Sequence, residues 1–119
     1  MKRFLAIFVI FALMVTIGIA LAESPVKSTG RMLYSALIFS GRIYIRGCVI
    51  ETDGSNDAVV TVYDSTNGTG KIFKKITVPG SDFYGGFVLP YPALMENGIY
   101  VTITGSGTGA YWVDYQGLY

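Results

Sequence analysis

Apolar and polar side chains alternate along most of the chain after residue 30. The clearest example is residues 58–64, where Ala58, Val60 and Val62 share one face, opposite Val59, Thr61 and Tyr63. A period of two residues is typical of a β-strand with at least one buried face. Comparable stretches predict strands at residues 31–39, 42–51, 58–64, 71–78, 83–89, 99–104 and 110–115.

Turn residues separate these stretches. Asp53-Gly54, Asn67-Gly68 and Asn97-Gly98 are three such signals, and each supplies a glycine that tolerates positive φ. Short strands at this spacing predict an all-β fold, a single small antiparallel β-sandwich or jelly-roll-like domain of about seven strands. Helix has little support, because residues 93–96 are long enough for at most one turn.

Three details of the pattern predict local geometry. Lys74 and Lys75 put charge on both faces of one strand, which is typical of the edge of a sheet. A bulge at Gly47 would reverse the faces of the second half of its strand. Gly85 and Gly86 indicate either a bulge or a point where another backbone comes close.

The N-terminal segment has a different pattern. Lys2 and Arg3 precede an almost wholly apolar run at residues 4–21, and Ala20-Leu21-Ala22 has the small-x-small pattern that signal peptidases cut. The chain therefore divides into residues 1–22, a hydrophobic signal peptide or N-terminal anchor helix; residues 23–30, a polar leader; and residues 31–119, the β-sandwich domain. Left uncleaved, residues 4–21 are just long enough to cross a bilayer. With either outcome, we expect the folded part outside the cytoplasm: secreted, periplasmic or at the cell surface.

The charge of the chain argues against one class of partner. The formal net charge is +1, and losing Lys2 and Arg3 with the signal would bring it to about −1. Such a balance gives no basic surface for nucleic acid or for anionic lipid headgroups. Contact with a membrane is expected only through residues 4–21, if that segment is not cleaved.

Candidate catalytic groups are scarce. The chain has no histidine and a single cysteine, Cys48, so the commonest general base and a thiolate metal site are both missing. Cys48 is either a small apolar filler or an unpaired thiol available to another chain. A hydrolytic carboxylate pair would have to come from acids at turns and strand ends: Asp53, Asp57, Asp64, Asp82, Glu96 and Asp114. We expect no enzyme activity and no cofactor.

Two loops carry weak signals for a bound or attached group. Asp53, Ser55 and Asp57 place oxygen atoms at alternate positions, as calcium loops do, but no EF-hand glycine or distal acid follows in register. The same residue types are favoured in a plain turn. Asn67-Gly68-Thr69 matches the glycosylation acceptor pattern, which matters only in a host that modifies such sites.

Aromatic residues crowd the C-terminus, where Tyr111, Trp112, Tyr115 and Tyr119 form the candidate binding surface. Exposed together, they would stack on sugar rings or anchor a protein interface. Alternation sets Tyr111 and Tyr115 opposite Trp112, so at least part of the cluster would instead fill the core or a subunit contact.

The order of the motifs resembles a known group of proteins. From Asp53 the chain reads D-G-S-N-D-A-V-V-T-V-Y-D-S, followed by G-T-G-K, V-P-G, G-G-F, P-Y-P and E-N-G-I-Y-V-T-I-T-G-S-G-T-G-A-Y. Over residues 47–115, this order resembles small all-β proteins encoded by tailed phages and prophages. Those proteins are generally minor virion or head-associated components, so the resemblance implies an assembly role without catalysis. The export signal departs from that group, whose members are normally assembled in the cytoplasm, and leaves room for a secreted or cell-surface relative.

These observations predict a non-enzymatic structural protein that forms homo-oligomers or decorates a larger assembly, with a virion as one such assembly. The alternative is an exported binding module that uses the C-terminal aromatic cluster on a glycan or a surface protein.

Overall fold

The computed structural model describes residues 25–104 and 106–118. The predicted signal or anchor segment, the first two residues of the leader and Tyr119 lie outside these ranges. The described part is all-β, as predicted, and contains no helix. Its strands are β1 (Val26–Ser28), β2 (Ala36–Ser40), β3 (Ile43–Thr52), β4 (Ala58–Asp64), β5 (Lys71–Val78), β6 (Tyr84–Met95), β7 (Gly98–Thr104) and β8 (Thr108–Gln116).

These strands form two four-stranded antiparallel sheets. Sheet A has the order β1-β8-β3-β6, and sheet B has the order β2-β7-β4-β5. The chain changes sheet at every connection except the one between β4 and β5. The edges are β1 and β6 in sheet A and β2 and β5 in sheet B, so β5 lies at an edge, as its lysines predicted.

The two sheets pack face to face around one apolar core. Each sheet contributes fully buried side chains, among them Ile45, Ile50 and Tyr111 from sheet A and Val60, Val62 and Val101 from sheet B. Aromatic rings also meet across the sheets, with ring centroids 6.1 Å apart for Phe39 and Tyr115 and 6.2 Å apart for Phe73 and Phe87. Burial of this apolar surface is the main force that holds the sandwich together.

The observed strands differ from the predicted ones at both ends of the domain. β1 lies within the predicted polar leader, where no strand was expected, and gives an eighth strand. It is held by β8: Thr29 N–H donates to the Val113 carbonyl at 3.0 Å, and Val113 N–H donates to Thr29 Oγ1 at 3.1 Å. The strand predicted at residues 31–39 is shorter, because Met32 forms only an isolated bridge to Tyr111.

β6 is longer than the predicted strand at residues 83–89 and takes in residues 93–95, the weak helix candidate. Pro90 and Pro92 lie inside it. Proline is tolerated in an edge strand where its nitrogen faces the open side, because no hydrogen bond to a neighbouring strand is lost there.

Candidate interaction surface

The bulge in β3 decides which side chains of sheet A face solvent. The register of β3 shifts between Ile45 and Gly47 against both β6 and β8. As a result, Ile45 before the bulge and Cys48 and Ile50 after it all face the core. The bulge that the sequence left open at Gly47 is therefore present, and it turns Val49 to the outer face.

Four apolar side chains share the outer face of sheet A, and we call them the outer patch: Trp112, Val49, Tyr84 and Val88. Val49 pairs with Trp112 on β8 and with Gly86 on β6. Tyr84 and Val88 flank Gly86 on the same face of β6, at diagonal positions about 7–8 Å from Val49. The exposed fraction is 37% for Val49, 63% for Tyr84 and 80% for Val88, and Trp112 is half-buried. Exposed apolar side chains grouped on one face are typical of a contact site. Glu51, which is ion-paired with Arg31, lies beside Tyr84 on the same face.

β3 and β6 approach each other closely beneath this patch. A Cβ atom at Gly47 would lie 2.6 Å from the Phe87 carbonyl oxygen, and one at Gly86 would collide with the Cys48 carbonyl oxygen. Gly86 also has a φ of 126°, which residues with a side chain rarely adopt. The sequence predicted either a bulge or a close approach of another backbone at Gly85 and Gly86, and the structure shows the close approach.

β6 is regular only in its first part. In the ladder with β3, Val88 pairs with Gly47 and the next pair is Ala93 with Ile45, so residues 89–92 are looped out opposite Arg46. The two prolines lie in this excursion and have no N–H to offer a further strand. Residues 84–88, whose pairing with β3 is uninterrupted, are called the edge segment below.

Among the four edges of the described sheets, the other three carry features that discourage pairing. β1 is only three residues long and includes Lys27, and the register of β2 shifts between Leu37 and Phe39. β5 carries Lys71, Lys74 and Lys75. Short strands, bulges and lysines are the usual means of keeping a sheet edge from joining another chain. β6, by contrast, has no charged residue anywhere in Tyr84–Met95.

The edge segment presents backbone groups that its own sheet does not use. Thr52 N–H donates to the Phe83 carbonyl at 2.9 Å, so the peptide groups of Phe83 face β3. Because these groups alternate in direction along an antiparallel ladder, and the register with β3 is unbroken from Tyr84 to Val88, we infer that the N–H and C=O groups of Tyr84, Gly86 and Val88 face away from β3. A further strand would find its hydrogen-bond partners there.

The three described aromatic residues of the predicted binding surface do not lie on one surface. Tyr111 is fully buried, and its hydroxyl donates a 2.7 Å hydrogen bond to the Tyr34 carbonyl. Burial raises the pKa of Tyr111 to about 12. Tyr115 packs against Phe39 on the core side, and Tyr119 lies outside the described residues. Trp112 alone of the described three faces outward, because alternation along β8 separates it from its neighbours.

The loop with the candidate metal ligands is held by its own side chains. Asp53 Oδ1 accepts 2.8 Å hydrogen bonds from the N–H groups of Asn56 and Ser55. These bonds hold the pKa of the Asp53 carboxyl below its usual value. Asp57 Oδ1 accepts a 3.1 Å bond from Gly80 N–H. Within the described residues, no group of three or more His, Cys, Asp or Glu side chains is placed to hold a metal ion.

The same loop packs against two glycines from neighbouring connections. A Cβ atom at Gly80 would lie 2.6 Å from the Ser55 carbonyl carbon, and one at Gly107 would collide with the Asp57 carbonyl oxygen. Asp53 N–H donates to the Gly107 carbonyl at 2.8 Å. The β3–β4 connection is therefore clamped between the β5–β6 and β7–β8 connections at one end of the sandwich.

Cys48 behaves as an apolar filler. Its side chain is 1% exposed, and burial, with a smaller contribution from Asp114, raises the pKa of the thiol to about 12. Little thiolate forms at neutral pH, so nucleophilic or metal-binding chemistry has no support at this position.

Two of the acids considered for a hydrolytic pair support a turn. Asp64 Oδ1 accepts a 2.8 Å bond from Asn97 N–H, and Asp64 Oδ2 accepts a 3.1 Å bond from Glu96 N–H. The Glu96 carboxylate forms an exposed ion pair with Arg42 at 3.3 Å. These contacts join the end of β4 to the β6–β7 connection.

Comparisons of the chain with protein-family models, with curated proteins and with solved structures found no match. In the described part of the chain, no helix is long and apolar enough to span a membrane.

Sequence reasoning drew attention to the C-terminal aromatic residues and missed the edge segment. A signal was present, because residues 84–95 contain no charge while the other long edge strand contains three lysines. Which strands lie at edges depends on sheet order, and the alternation of side chains does not specify that order.

Proposed function

We propose that this protein is a non-enzymatic structural module that is exported and acts by assembling with protein. The observation that carries the proposal is the uncharged edge segment, residues 84–88, beside the exposed outer patch. Exposed apolar surface and unpaired strand edges are the two features that a soluble β-sandwich normally keeps small. Having both at one place favours a surface that another polypeptide covers.

The strand order supports the same proposal. The order β1-β8-β3-β6 packed on β2-β7-β4-β5 is that of a jelly roll. Jelly rolls include viral capsid domains and lectins, so the order is compatible with an assembly role and with ligand binding. Because a fold by itself does not assign a function, the edge segment is what favours assembly over ligand binding.

The proposed absence of catalysis rests on how the acids are used. Asp53, Asp57 and Asp64 each accept hydrogen bonds from backbone N–H groups, which is a structural task. The thiol of Cys48 is buried and protonated at neutral pH.

The proposed location is outside the cytoplasm, in the medium, the periplasm or at the cell surface, with a virion as the alternative. Its support is the apolar segment at residues 4–21 and the small-residue site that follows it. The proposed partners are a second copy of the chain or a larger protein assembly.

Mass spectrometry on the membrane fraction, the culture medium and any released particles, with size-exclusion chromatography of the recovered protein, tests the proposal. The expected result is the protein in a multimeric or particle-bound form, with its N-terminus at Glu23 if the signal is cleaved. A strictly monomeric protein, absent from every particle and surface fraction, would contradict an assembly role.

A second candidate function is an exported binding module for a glycan or a surface protein. The observation in its favour is Trp112, which faces outward beside Val49 on sheet A. Aromatic rings on such a surface stack on sugars or pack in protein interfaces. A glycan array compared between the wild type and Trp112→Ala tests it, with Tyr91→Ala as the control. Loss of binding in Trp112→Ala alone supports the module, and unchanged binding removes Trp112 as its platform.

A further inference from the structure

We propose that the edge segment pairs with the same segment of a second copy, antiparallel, with Gly86 opposite Gly86 of that copy. The two copies of sheet A then form one continuous eight-stranded sheet. This inference rests on the proposed assembly function and specifies its partner and its register.

The direction of the backbone groups and the length of the edge segment together select this register, because a shift by two residues would keep only two of the three pairs. Pairing centred on Gly86 sets Tyr84 opposite Val88 of the second copy, and Val88 opposite Tyr84. Tyr84, Gly86 and Val88 are the residues whose N–H and C=O groups face away from β3, so each of the three pairs is a hydrogen-bonded pair. A shift by one residue would set outward-facing groups against inward-facing ones and lose these bonds.

The side chains are self-complementary in the same register. Each end of the pairing has a tyrosine opposite a valine on the outer face, and aromatic with β-branched is a favourable cross-strand pair. The outer patches of the two copies become continuous around the paired Gly86 residues. No charge lies in β6, so the two-fold arrangement brings no like charges together within the paired strands.

The neighbouring features limit pairing to this segment. Beyond Val88, the looped-out residues 89–92 interrupt β6. β5 of sheet B lies beneath the edge segment, and its Lys74 Nζ is 4.8 Å from the centroid of the Phe87 ring. Lysines on β5 discourage pairing of that strand, so the contact extends sheet A alone.

The edges that remain free after pairing predict a closed dimer rather than a fibre. After β6 pairs with its copy, the free edges of the joined sheet are the two β1 strands, which are three residues long and carry Lys27. A two-fold contact that uses up the open edge on both copies leaves no equivalent edge for a third.

Sedimentation velocity over a concentration series tests the pairing, with the protein recovered from an exporting host and its N-terminus determined. The variants are Val88→Lys and, as the matched control, Val26→Lys on the opposite edge of the same sheet; both valines are exposed, at 80% and 51%. We expect Val88→Lys to raise the dimer dissociation constant at least about tenfold, because two symmetric pairs change at once. We expect Val26→Lys to leave it unchanged, and circular dichroism to show both variants folded.

Cysteine cross-linking tests the register separately. In the hydrogen-bonded pairs, Tyr84 and Val88 of the two copies have Cα atoms about 5.5 Å apart, which a disulfide can bridge. The variant carrying both Tyr84→Cys and Val88→Cys is expected to oxidise to a covalent dimer, whereas either single variant is not. Buried Cys48 does not compete.

The outcomes separate this inference from the proposed function. A multimer that Val88→Lys does not weaken, or a monomer that is nevertheless bound in particles, overturns the second copy as partner and leaves the assembly role standing. A protein that is monomeric and absent from every assembly overturns both.

Discussion

At the residue scale, Tyr111 has a packing role rather than a surface role. Its ring is fully buried between the sheets, and its hydroxyl reaches the backbone of the β1–β2 connection at Tyr34. A large buried aromatic side chain contributes most to the stability of the fold when its polar atom also forms a hydrogen bond. Tyr111 therefore ties residues 29–35 to the core.

Replacing Tyr111 with phenylalanine should lower the free energy of unfolding by about 1–2 kcal/mol, because the hydrogen bond to the Tyr34 carbonyl is lost while the ring stays. Chemical denaturation measures the change. Tyr91→Phe is the control, since Tyr91 is 83% exposed and should unfold as the wild type does. Equal stability of wild type and Tyr111→Phe would show that this bond contributes nothing.

Asp53 makes the stability of its loop depend on pH. Hydrogen bonds from Asn56 and Ser55 lower the pKa of its carboxyl in the folded state. A carboxyl with a depressed folded pKa stabilises the fold above its unfolded pKa, and that stabilisation is lost as the pH falls through the folded pKa.

The wild type should therefore exceed Asp53→Asn in free energy of unfolding at neutral pH, and the difference should shrink toward acidic pH. Denaturant titrations of both proteins at a series of pH values between about 2 and 7 measure it. A difference that stays constant over this range would contradict the role of the ionised carboxylate.

At the element scale, the two strands with irregular ladders organise sheet A. The bulge of β3 keeps Ile45 and Cys48 on the same side of the sheet, and the excursion of β6 at residues 89–92 lies opposite the same point. Gly47 sits at the meeting point, against the carbonyl of Phe87. Irregular ladders at this point limit the uninterrupted part of the free edge to residues 84–88.

Gly47→Ala should destabilise the domain by about 1–3 kcal/mol, because the added Cβ would meet the Phe87 backbone and the strands would have to move apart. Thermal or chemical unfolding measures the loss, with Thr77→Ala on the exposed face of β5 as the control. A variant as stable as the wild type would mean that the backbones separate without cost.

Sequence patterns predicted the strands whose alternation is regular and whose ends carry turn residues. β4 and β5 have their predicted bounds, and the lysines of β5 correctly placed it at an edge. β1 was not predicted, because a strand of three residues between polar neighbours is too short to show an alternating pattern. Its pairing with β8 is what makes it a strand. The separation of Tyr111 from Trp112 followed from alternation, but the edge segment required the sheet order, which depends on contacts distant in sequence.

At the scale of the whole molecule, the two sheets have different outer surfaces. Sheet B ends in lysine-bearing β5, and its outer face is partly covered by the β4–β5 connection, where Gly68 lies over Tyr100 and Thr102. Sheet A ends in uncharged β6 and leaves Tyr84 and Val88 exposed. We therefore propose that assembly takes place on the β6 side of sheet A.

Amide hydrogen exchange at the edge segment tests this account most directly. The N–H groups of Tyr84, Gly86 and Val88 should exchange rapidly in dilute protein and at least about tenfold more slowly once the protein assembles, because a second strand then bonds them. Lys27 on the opposite edge should be unaffected. Fast exchange at residues 84, 86 and 88 in the assembled protein would contradict the claim that this edge is the assembly surface.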